Sequence, residues 1–519
     1  MLRYFLPLLL LAINPGISAA QMPPLTVPKG HWRADITGSF LTADQRYRAG
    51  TKEGLAFDFE REKLGANFFP ALIPADSLLR KIAGFSDATI SLGTSAASWS
   101  VTTGTFGLGL AYGLFSKLTV SVHMPIIRQK VRSTFGLDPA LGNSGFNPAD
   151  LTFGTSFGQA QTTQFFQQFT GAMAQLNALL NSGAYDGDPA QKALAQATLA
   201  SGSMLRDDLF ALILGSGTAS PFLPTTTSVV GNTIRGKVSA LQGTLAGLGV
   251  TSFSTQVALP DDKLNDEEFN EFISNEGGPV AGTFNTRSLS SLGDVEIGVA
   301  YAIFDQLSTV GVKRGFRLAA QGLFRLPTSQ LDNPSRFFDV GTGERQPDVE
   351  GTIVGDGLFG AFGARALAGY TLQLTGIANK RISSPDLPIA YANTLADVNR
   401  KPGDLLTLGI APFFRLAENF AVTGGVTWRK KASDQVTLMS GQGEIPGAPA
   451  SLLELDTDGT WSTASLGLSF SAPLMTKDGK SKPPMDAGLL WEGVIGSSGA
   501  LRVPATAGVR FWFRLYGKL

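Results

Sequence analysis

The chain has 519 residues, with 42 acidic and 42 basic side chains and no cysteine. The lack of cysteine excludes disulfides, a lipoprotein anchor and zinc-thiolate chemistry, and the balanced charge gives no general attraction for nucleic acid or an anionic membrane surface. After residue 20 no stretch approaches the roughly eighteen apolar residues of a membrane-spanning helix, so helical spans are excluded.

A secretory signal peptide is predicted over residues 1–20. Arg3 precedes an apolar run, and the small residues Ser18, Ala19 and Ala20 end the segment. This order of charged, apolar and small residues is that of a cleaved signal sequence. We therefore leave the segment out of the fold prediction.

A β-hairpin is predicted in the first regular stretch of the chain, residues 106–126. Its Leu108 and Leu110 alternate with glycine, and after a short turn Val120 and Val122 alternate with polar residues. Alternation of this kind gives a strand one apolar face and one small or polar face.

The same alternation returns along the rest of the chain. Nine further strands are predicted at residues 294–303, 316–326, 351–363, 366–380, 404–415, 420–430, 460–471, 487–495 and 506–516. Less regular candidates precede the hairpin at residues 32–40, 55–59 and 86–100. We expect an all-β fold, a transmembrane antiparallel β-barrel of about 12 to 14 strands. Residues 21–105 would hold its first strands, 106–135 a hairpin and 288–519 the remainder.

Residues 136–287 lose the alternation and predict a partly helical insertion. Helices are expected at residues 161–181, at 189–214 after the N-cap Asp188, and at 261–274. Links between strands are alternately short and long, which places the insertion with the long links that such barrels carry outside the cell. It could cap the barrel mouth, fold into the barrel or face water.

The last predicted strand carries a feature of its own. Thr506, Gly508, Phe511 and Phe513 resemble the C-terminal assembly signal of bacterial outer-membrane barrels. This resemblance implies the barrel assembly machinery, outer-membrane lipid and lipopolysaccharide as partners. Aromatic residues at strand ends are expected to form girdles at the two membrane interfaces. They are Tyr112, Phe115, Phe304, Trp428, Trp512 and Tyr516.

Candidate binding residues are the polar side chains on the inward face of the predicted strands. They are Arg317, Gln321, Arg325, Arg415, Arg429, Arg510, Arg514 and His123. Rings of such groups set selectivity in pores, and guanidinium groups can bind carboxylates bidentately. Alternatively they pair with the inward acids Asp294, Glu296 and Glu492 and only stiffen the barrel.

Catalysis and metal binding find little support in the residue pattern. Ser121 and His123 lie two residues apart on one strand, which is not a triad geometry, and no acid is expected near the imidazole. Residues 456–459 begin like a calcium loop but lack the later ligands, so a plain turn is expected. We predict no enzyme, no cofactor and no metal site.

Two stretches, residues 107–125 and 292–301, support a resemblance to a known family. The chain resembles outer-membrane proteins associated with meta-pathway phenol degradation, which are similar to long-chain fatty-acid transporters. The resemblance implies an outer-membrane channel of a Gram-negative bacterium that takes up small hydrophobic or aromatic compounds, with the N-terminal segment as a possible hatch. A structural or adhesion barrel, or an outer-membrane hydrolase, are the alternatives.

Overall fold

The computed structural model describes residues 25–217, 219–307, 312–417, 419–472 and 484–518. The predicted signal peptide lies outside the described residues, as does most of the link between the two strands before the last one. By its own contacts the chain divides into two compact units. The first comprises Met1–Asp58, Ala97–Thr134 and Ala281–Leu519, and the second comprises Phe59–Ala96 and Phe135–Val280.

Twelve strands form the barrel in the first unit. They are β1 (His31–Ala43), β2 (Thr94–Phe115), β3 (Leu118–Asp138), β4 (Val295–Asp305), β5 (Arg314–Leu326), β6 (Asp348–Phe359), β7 (Phe362–Gln373), β8 (Leu405–Arg415), β9 (Phe420–Lys431), β10 (Gly459–Ala472), β11 (Met485–Ser498) and β12 (Ala507–Lys518). Each pairs with the next, and β1 also pairs antiparallel with β12, so the sheet closes. Closure leaves no unpaired edge, and the predicted all-β barrel of about 12 to 14 strands is confirmed.

The last strand shows how the alternation is realised. Val509 and Phe511 point outward and are 42% exposed, whereas Arg510 and Trp512 are buried inside. Tyr516 is also buried, and its hydroxyl donates to Asp486 on the neighbouring strand at 2.6 Å. The prediction that Trp512 and Tyr516 belong to an interface girdle is therefore wrong, because the register of β12 turns both residues inward.

The outside of the barrel is apolar along its middle. Leu408, Ile410, Val426 and Leu489 are among the many large apolar side chains that remain exposed there. In water such a continuous surface would be unfavourable, whereas in lipid it is the expected one.

One outward residue tests this surface. Leu466, at the middle of β10, is 61% exposed. We expect Leu466→Lys to lower the free energy of unfolding from lipid vesicles by about 2–4 kcal/mol, because an ammonium group at mid-membrane loses its hydration. Denaturant titration measures the change. Leu466→Met, which keeps the site apolar, should leave stability nearly unchanged; equal effects of both changes would contradict the lipid-facing assignment.

The links between strands differ in length at the two ends of the barrel. At the end with the chain termini, β2 joins β3 and β6 joins β7 through two residues each. The links at the other end, which we call the mouth, include residues 327–347, 374–404, 432–458 and 499–506. The links follow the predicted alternation of short and long, except that the link 473–484 between β10 and β11 is longer than the mouth link 499–506.

Several predicted strands change at the mouth. The predicted strand 366–380 is two strands, because β7 ends at Gln373 and the segment Gly376–Arg381 pairs with Leu395–Lys401 in a separate small sheet. Residues 55–59, a strand candidate, contain a short 3-10 turn instead. The segment Arg287–Leu292 extends the line of β4 by pairing with β3.

The second unit is mainly helical. Its helices are α1 (Ile73–Ala83), α2 (Ser156–Asn181), α3 (Pro189–Ile213), α4 (Val229–Gly247) and α5 (Asp266–Ser274). The Asp188 carboxylate accepts hydrogen bonds from the amides of Ala190 and Gln191, as its predicted N-cap role requires. Buried aromatic rings such as Phe165, Phe169 and Phe253 stack in its core.

The helical unit is larger than the sequence suggested. Residues Phe59–Ala96, which we expected to belong with the first strands, share their contacts with the insertion, and α4 was not predicted. No helix in the described ranges is both long enough and apolar enough to cross a membrane.

Candidate functional site: the barrel interior

All eight candidate residues lie on strands of the barrel and alternate with outward apolar residues. On β5, for example, Arg317 and Arg325 alternate with the exposed Phe316 and Phe324. The interior is therefore lined by the predicted polar side chains. Their surroundings divide them into ion-paired, loosely held and unpaired groups.

Arg325 is the centre of an ion-pair chain across three strands. Its guanidinium donates to Glu296 at 3.0 Å on β4 and to Glu350 at 2.6 Å on β6. Both carboxylates face inward and are mostly buried. The two charge-assisted bonds hold Arg325 against the wall, as the stiffening alternative expects.

His123 lies beside this chain. Its Nδ1 is 3.6 Å from a Glu296 oxygen, and its Nε2 is 3.3 Å from the Thr37 hydroxyl. The expectation that no acid lies near the imidazole is wrong, since β4 brings Glu296 beside β3. The neighbouring hydroxyl is that of Thr37, and the Nδ1 to carboxylate distance is too long for a hydrogen bond.

The imidazole occupies a space that glycine leaves on β2. A Cβ atom at Gly107 would lie 2.3 Å from Nε2 of His123. The glycines of the predicted hairpin therefore make room for an inward side chain from the neighbouring strand.

A second chain of charges involves residues that the sequence analysis did not select. Arg317 lies 3.2 Å from Asp305 and 3.5 Å from Asp356. Arg365 donates two hydrogen bonds to Asp356, at 2.7 and 2.9 Å. The alternation along β6 and β7 was the available signal, because Asp356 and Arg365 occupy inward positions on those strands.

Asp294 forms no ion pair with an arginine among the described residues, in contrast to the stiffening alternative. Its carboxylate accepts a hydrogen bond from the amide of Ser329 at 3.0 Å and so supports the 327–347 link. Glu492, one of the three inward acids of the stiffening alternative, accepts a hydrogen bond from Nη2 of Arg510 at 2.7 Å. Arg514 is only loosely placed, at 3.8 Å from Asp35.

Gln321 and Arg415 make few polar contacts. Gln321 lines a small cavity together with Glu350, Thr371 and Thr407. The Nε atom of Arg415 is buried, and no hydrogen-bond acceptor for it occurs among the described residues.

Arg429 differs from the paired arginines. It is 5% exposed, yet within the described residues no carboxylate oxygen lies within 4.0 Å of its guanidinium. Its neighbours are the Thr463 hydroxyl at 3.5 Å and the Trp461 ring, whose centroid is 6.0 Å away. A buried cation beside an aromatic ring and without a carboxylate in direct contact is a candidate binding group.

Apolar residues from a link turn inward at the mouth. Leu501 and Val503, in the link 499–506, pack against Trp461 and Leu405 of the barrel wall and are buried with them. This link therefore lies against the inner face of the wall and narrows the mouth.

A group of charges fastens this link to the others. The mouth cluster consists of Arg46, Arg48, Glu53, Asp58, Asp386, Asp456 and Arg502. The Arg46 and Arg502 side chains are fully buried, and both contact the carboxylate of Asp58. The distance from the Arg502 guanidinium to the Asp58 carboxylate is 3.0 Å. Arg502 also donates to Asp456 at 3.0 Å. Four links of the mouth thus meet at one set of ion pairs.

A second fastening involves Asp434 in the link 432–458. Arg400 donates to its carboxylate at 2.7 Å, Lys431 contacts it, and the Gly403 amide donates to it at 2.9 Å. Burial opposes the charged form, but the charges of Arg400 and Lys431 outweigh it and hold the pKa of Asp434 below its usual range.

The lowered pKa of Asp434 has a defined effect on stability. Because the pKa is lower in the folded state, the stabilisation is complete above the unfolded value of about 3.9 and is lost as pH falls through the folded value. We expect Asp434→Asn to reduce the unfolding free energy clearly at pH 6.5 and much less at pH 3. Denaturant titrations at both pH values test this. As a control, Asp207→Asn, which removes an exposed ion pair with Arg206, should leave the unfolding free energy unchanged at both pH values. If Asp434→Asn lowers the unfolding free energy equally at pH 6.5 and pH 3, the stability does not depend on the pKa of Asp434.

The calcium-like residues 456–459 serve another purpose, since Asp456 pairs with Arg502. Over the described ranges, no three His, Cys, Asp or Glu side chains are grouped so that they could hold a metal ion.

Known proteins offer only distant structural similarity. No protein-family model and no curated protein sequence matches the chain. The COG4313 outer membrane channel from Pseudomonas putida F1 has a TM-score of 0.40 at 8% identity, covering 96% of this chain and 100% of that one. The Pseudomonas putida toluene transporter TodX has a TM-score of 0.25 at 9% identity, covering 94% and 89%.

A third similar structure is the translocator domain of the autotransporter NalP from Neisseria meningitidis. Its TM-score is 0.29 at 5% identity, with coverage of 98% of this chain and 93% of that one. Outer-membrane channels are thus among the solved structures that the chain resembles.

Proposed function

We propose that this protein is an outer-membrane channel or transporter for small hydrophobic or aromatic compounds in a Gram-negative bacterium. The observation that carries the proposal is the contrast between the two faces of a closed twelve-strand wall, apolar outside and polar inside. A closed barrel satisfies every backbone hydrogen bond within lipid, and the outward alternation matches a lipid environment. Membrane lipid, lipopolysaccharide and the barrel assembly machinery are its proposed partners.

The size of the barrel supports passage over a purely structural role. About eight strands enclose only enough room for their own inward side chains, and the interior widens with each added strand. Twelve strands leave space near the mouth, which Leu501 and Val503 occupy. A link that fills this space can leave it again, and so can act as a gate.

The proposed preference for aromatic solutes rests on the residues that surround Leu501 and Val503 near the mouth. Trp461, Leu405 and Val503 form an apolar patch on the inner wall, next to the guanidinium of Arg429. An aromatic solute can stack on such a patch while its polar substituent meets the charged wall. The hydrolase alternative has less support, since in the part of the chain that the structure describes the hydroxyl that contacts the His123 imidazole is that of Thr37.

Uptake by the barrel alone is the decisive test. We expect a variant lacking the helical unit to keep its ability to admit toluene into proteoliposomes, because the polar interior belongs to the twelve strands. Both helical segments must be removed together, residues 60–93 and 135–281, since α1 buries Leu79 and Ile82 within that unit. A short linker can close each cut, because the two chain ends lie close together. At the first cut the Ser95 hydroxyl donates to the Phe59 carbonyl at 2.7 Å. At the second cut the Ser133 hydroxyl donates to the Phe284 carbonyl at 2.5 Å.

Entry of toluene and of a sugar of similar size is measured against protein-free vesicles. Faster entry of toluene but not of the sugar supports the proposal. If neither the full chain nor the shortened one speeds entry of either solute, the protein is not a channel and a structural role replaces the proposal. Heat-modifiable migration of both proteins on SDS gels confirms that the barrels are folded.

A further inference from the structure

Arg429 differs from Arg325 and Arg510 in having no close carboxylate partner in the part of the chain that the structure describes. Arg510 is held by Glu492, whose oxygen lies 2.7 and 3.2 Å from two of its nitrogens, and Glu350 is held by Arg325 at 2.6 Å. Within the described residues no carboxylate oxygen lies within 4.0 Å of the Arg429 guanidinium. A buried guanidinium without a carboxylate partner is unfavourable, so an anion from solution would be stabilised here.

A small cavity lies beside the two neighbours of Arg429, and Arg429 itself is not among its lining residues. Its wall contains Trp461, Thr463, Glu492, Val494, Val503 and Thr506. Thr463 and Trp461 are also the two neighbours of the Arg429 guanidinium. The cavity holds about 10 Å³, room for a single water molecule. Any larger occupant must displace Val503 and its link.

The apolar side of the cavity defines the rest of an occupant. Trp461, Leu405, Leu501 and Val503 pack together there, with Tyr47 and Val494 against them. A ligand that moves Leu501 and Val503 away from Trp461 must replace the apolar contacts they make. An aromatic ring does this well, because it can stack on the Trp461 indole.

We propose that Arg429 and Trp461 form a binding site for a small aromatic carboxylate inside the barrel. The planar guanidinium receives the carboxylate through two parallel hydrogen bonds, and the ring takes the place of Leu501 and Val503 against Trp461. Binding gives the Arg429 guanidinium a carboxylate partner and moves the link 499–506 away from the wall. The inference rests on the proposed channel function and narrows its substrate class to anions with an aromatic body.

Benzoate, acetate and benzyl alcohol separate the parts of this proposal. Acetate has the carboxylate without the ring, and benzyl alcohol has the ring without the charge. Binding to the detergent-solubilised full chain is measured by calorimetry, and current is measured in planar bilayers. We expect benzoate to bind at least tenfold more tightly than either of the other two compounds and to change the current at the same concentrations.

Arg429→Gln should weaken benzoate binding by about 10- to 100-fold, because a bidentate charge-assisted pair is lost. Arg429→Lys keeps the charge without the fork and should lie between wild type and Arg429→Gln. Thr427→Val, an inward and buried neighbour on the same strand, should bind benzoate like the wild type. The lysine variant and the Thr427 control guard against a folding defect in Arg429→Gln.

Equal binding of benzoate by the wild type and both Arg429 variants overturns the site, as does failure of the wild type to bind benzoate. Equal affinity for benzyl alcohol overturns the carboxylate role. Because calorimetry does not depend on transport, benzoate binding without any passage would leave the site standing and reject the channel. Passage of toluene without benzoate binding would reject the site and leave the channel function standing.

Discussion

Asp58→Asn is expected to lower the unfolding free energy by about 3 kcal/mol and to raise the conductance of the barrel. Asp58 is the carboxylate that two fully buried guanidinium groups share, those of Arg46 and Arg502. Asparagine keeps the shape but removes the negative charge, and breaking a buried ion pair from one side leaves a buried charge poorly compensated. Denaturant titration measures the stability.

The same substitution should open the mouth. Arg502 precedes Val503 in the link that packs on Trp461, and Asp58 helps to hold that link in place. With a weaker hold, the link should leave the wall for a larger share of time. We expect single-channel recordings of Asp58→Asn to show longer open events than those of the wild type.

Asp386→Asn is the matched control. Asp386 touches Arg48 and Arg502 of the same cluster at 3.0 and 3.3 Å, but its side chain is 68% exposed. Exposed ion pairs contribute about 0–1 kcal/mol, so both stability and current should change little. If Asp386→Asn opens the channel as much as Asp58→Asn, burial of the shared carboxylate is not what holds the link.

Arg325→Gln should produce the largest change within the interior. The substitution leaves Glu296 and Glu350 buried without the guanidinium that joins them. We expect a loss of about 3–5 kcal/mol in unfolding free energy. In bilayers with a salt gradient, the reversal potential should shift toward cation selectivity, because the wall loses a positive charge.

A double variant separates charge from packing in this result. Adding Glu350→Gln to Arg325→Gln removes one of the two carboxylates that have lost Arg325 as a partner. The double variant should therefore recover part of the wild-type stability and part of the wild-type ion selectivity. If the double variant is no more stable than Arg325→Gln alone, loss of packing and not of charge explains the defect. Gln321, an inward residue four positions before Arg325 on the same strand, offers a control in Gln321→Asn, which should shift neither property.

The barrel could be predicted because its outer surface follows a local rule. Lipid requires an apolar side chain at every second position of a strand, so strands such as β4 and β5 are visible in a few consecutive residues. The strand count and the helices at Asp188 and Asp266 follow from similarly local signals. Where a strand was misplaced, as at residues 366–380, the small sheet at the mouth continues the same alternation after β7 ends.

The interior contacts could not be read in the same way. The sequence indicated that Arg325 and Arg510 point inward, but their stabilisation depends on which acids the neighbouring strands bring beside them. His123 meets Glu296 only because β3 pairs with β4 across the whole insertion. The link to Asp58 from Arg502 spans 444 residues. No periodic pattern carries information over such a separation.

Sequence alone thus determined the class of fold, the lipid-facing surface and the set of inward polar residues, because each depends on the period of a strand. The tertiary structure decided that Arg325 and Arg510 have carboxylate partners whereas Arg429 has none within 4.0 Å among the described residues. It also decided that Trp512 lies inside and that residues 59–96 join the helical unit. These outcomes depend on the register of pairing and on the meeting of distant links, where burial makes the presence or absence of one carboxylate decisive.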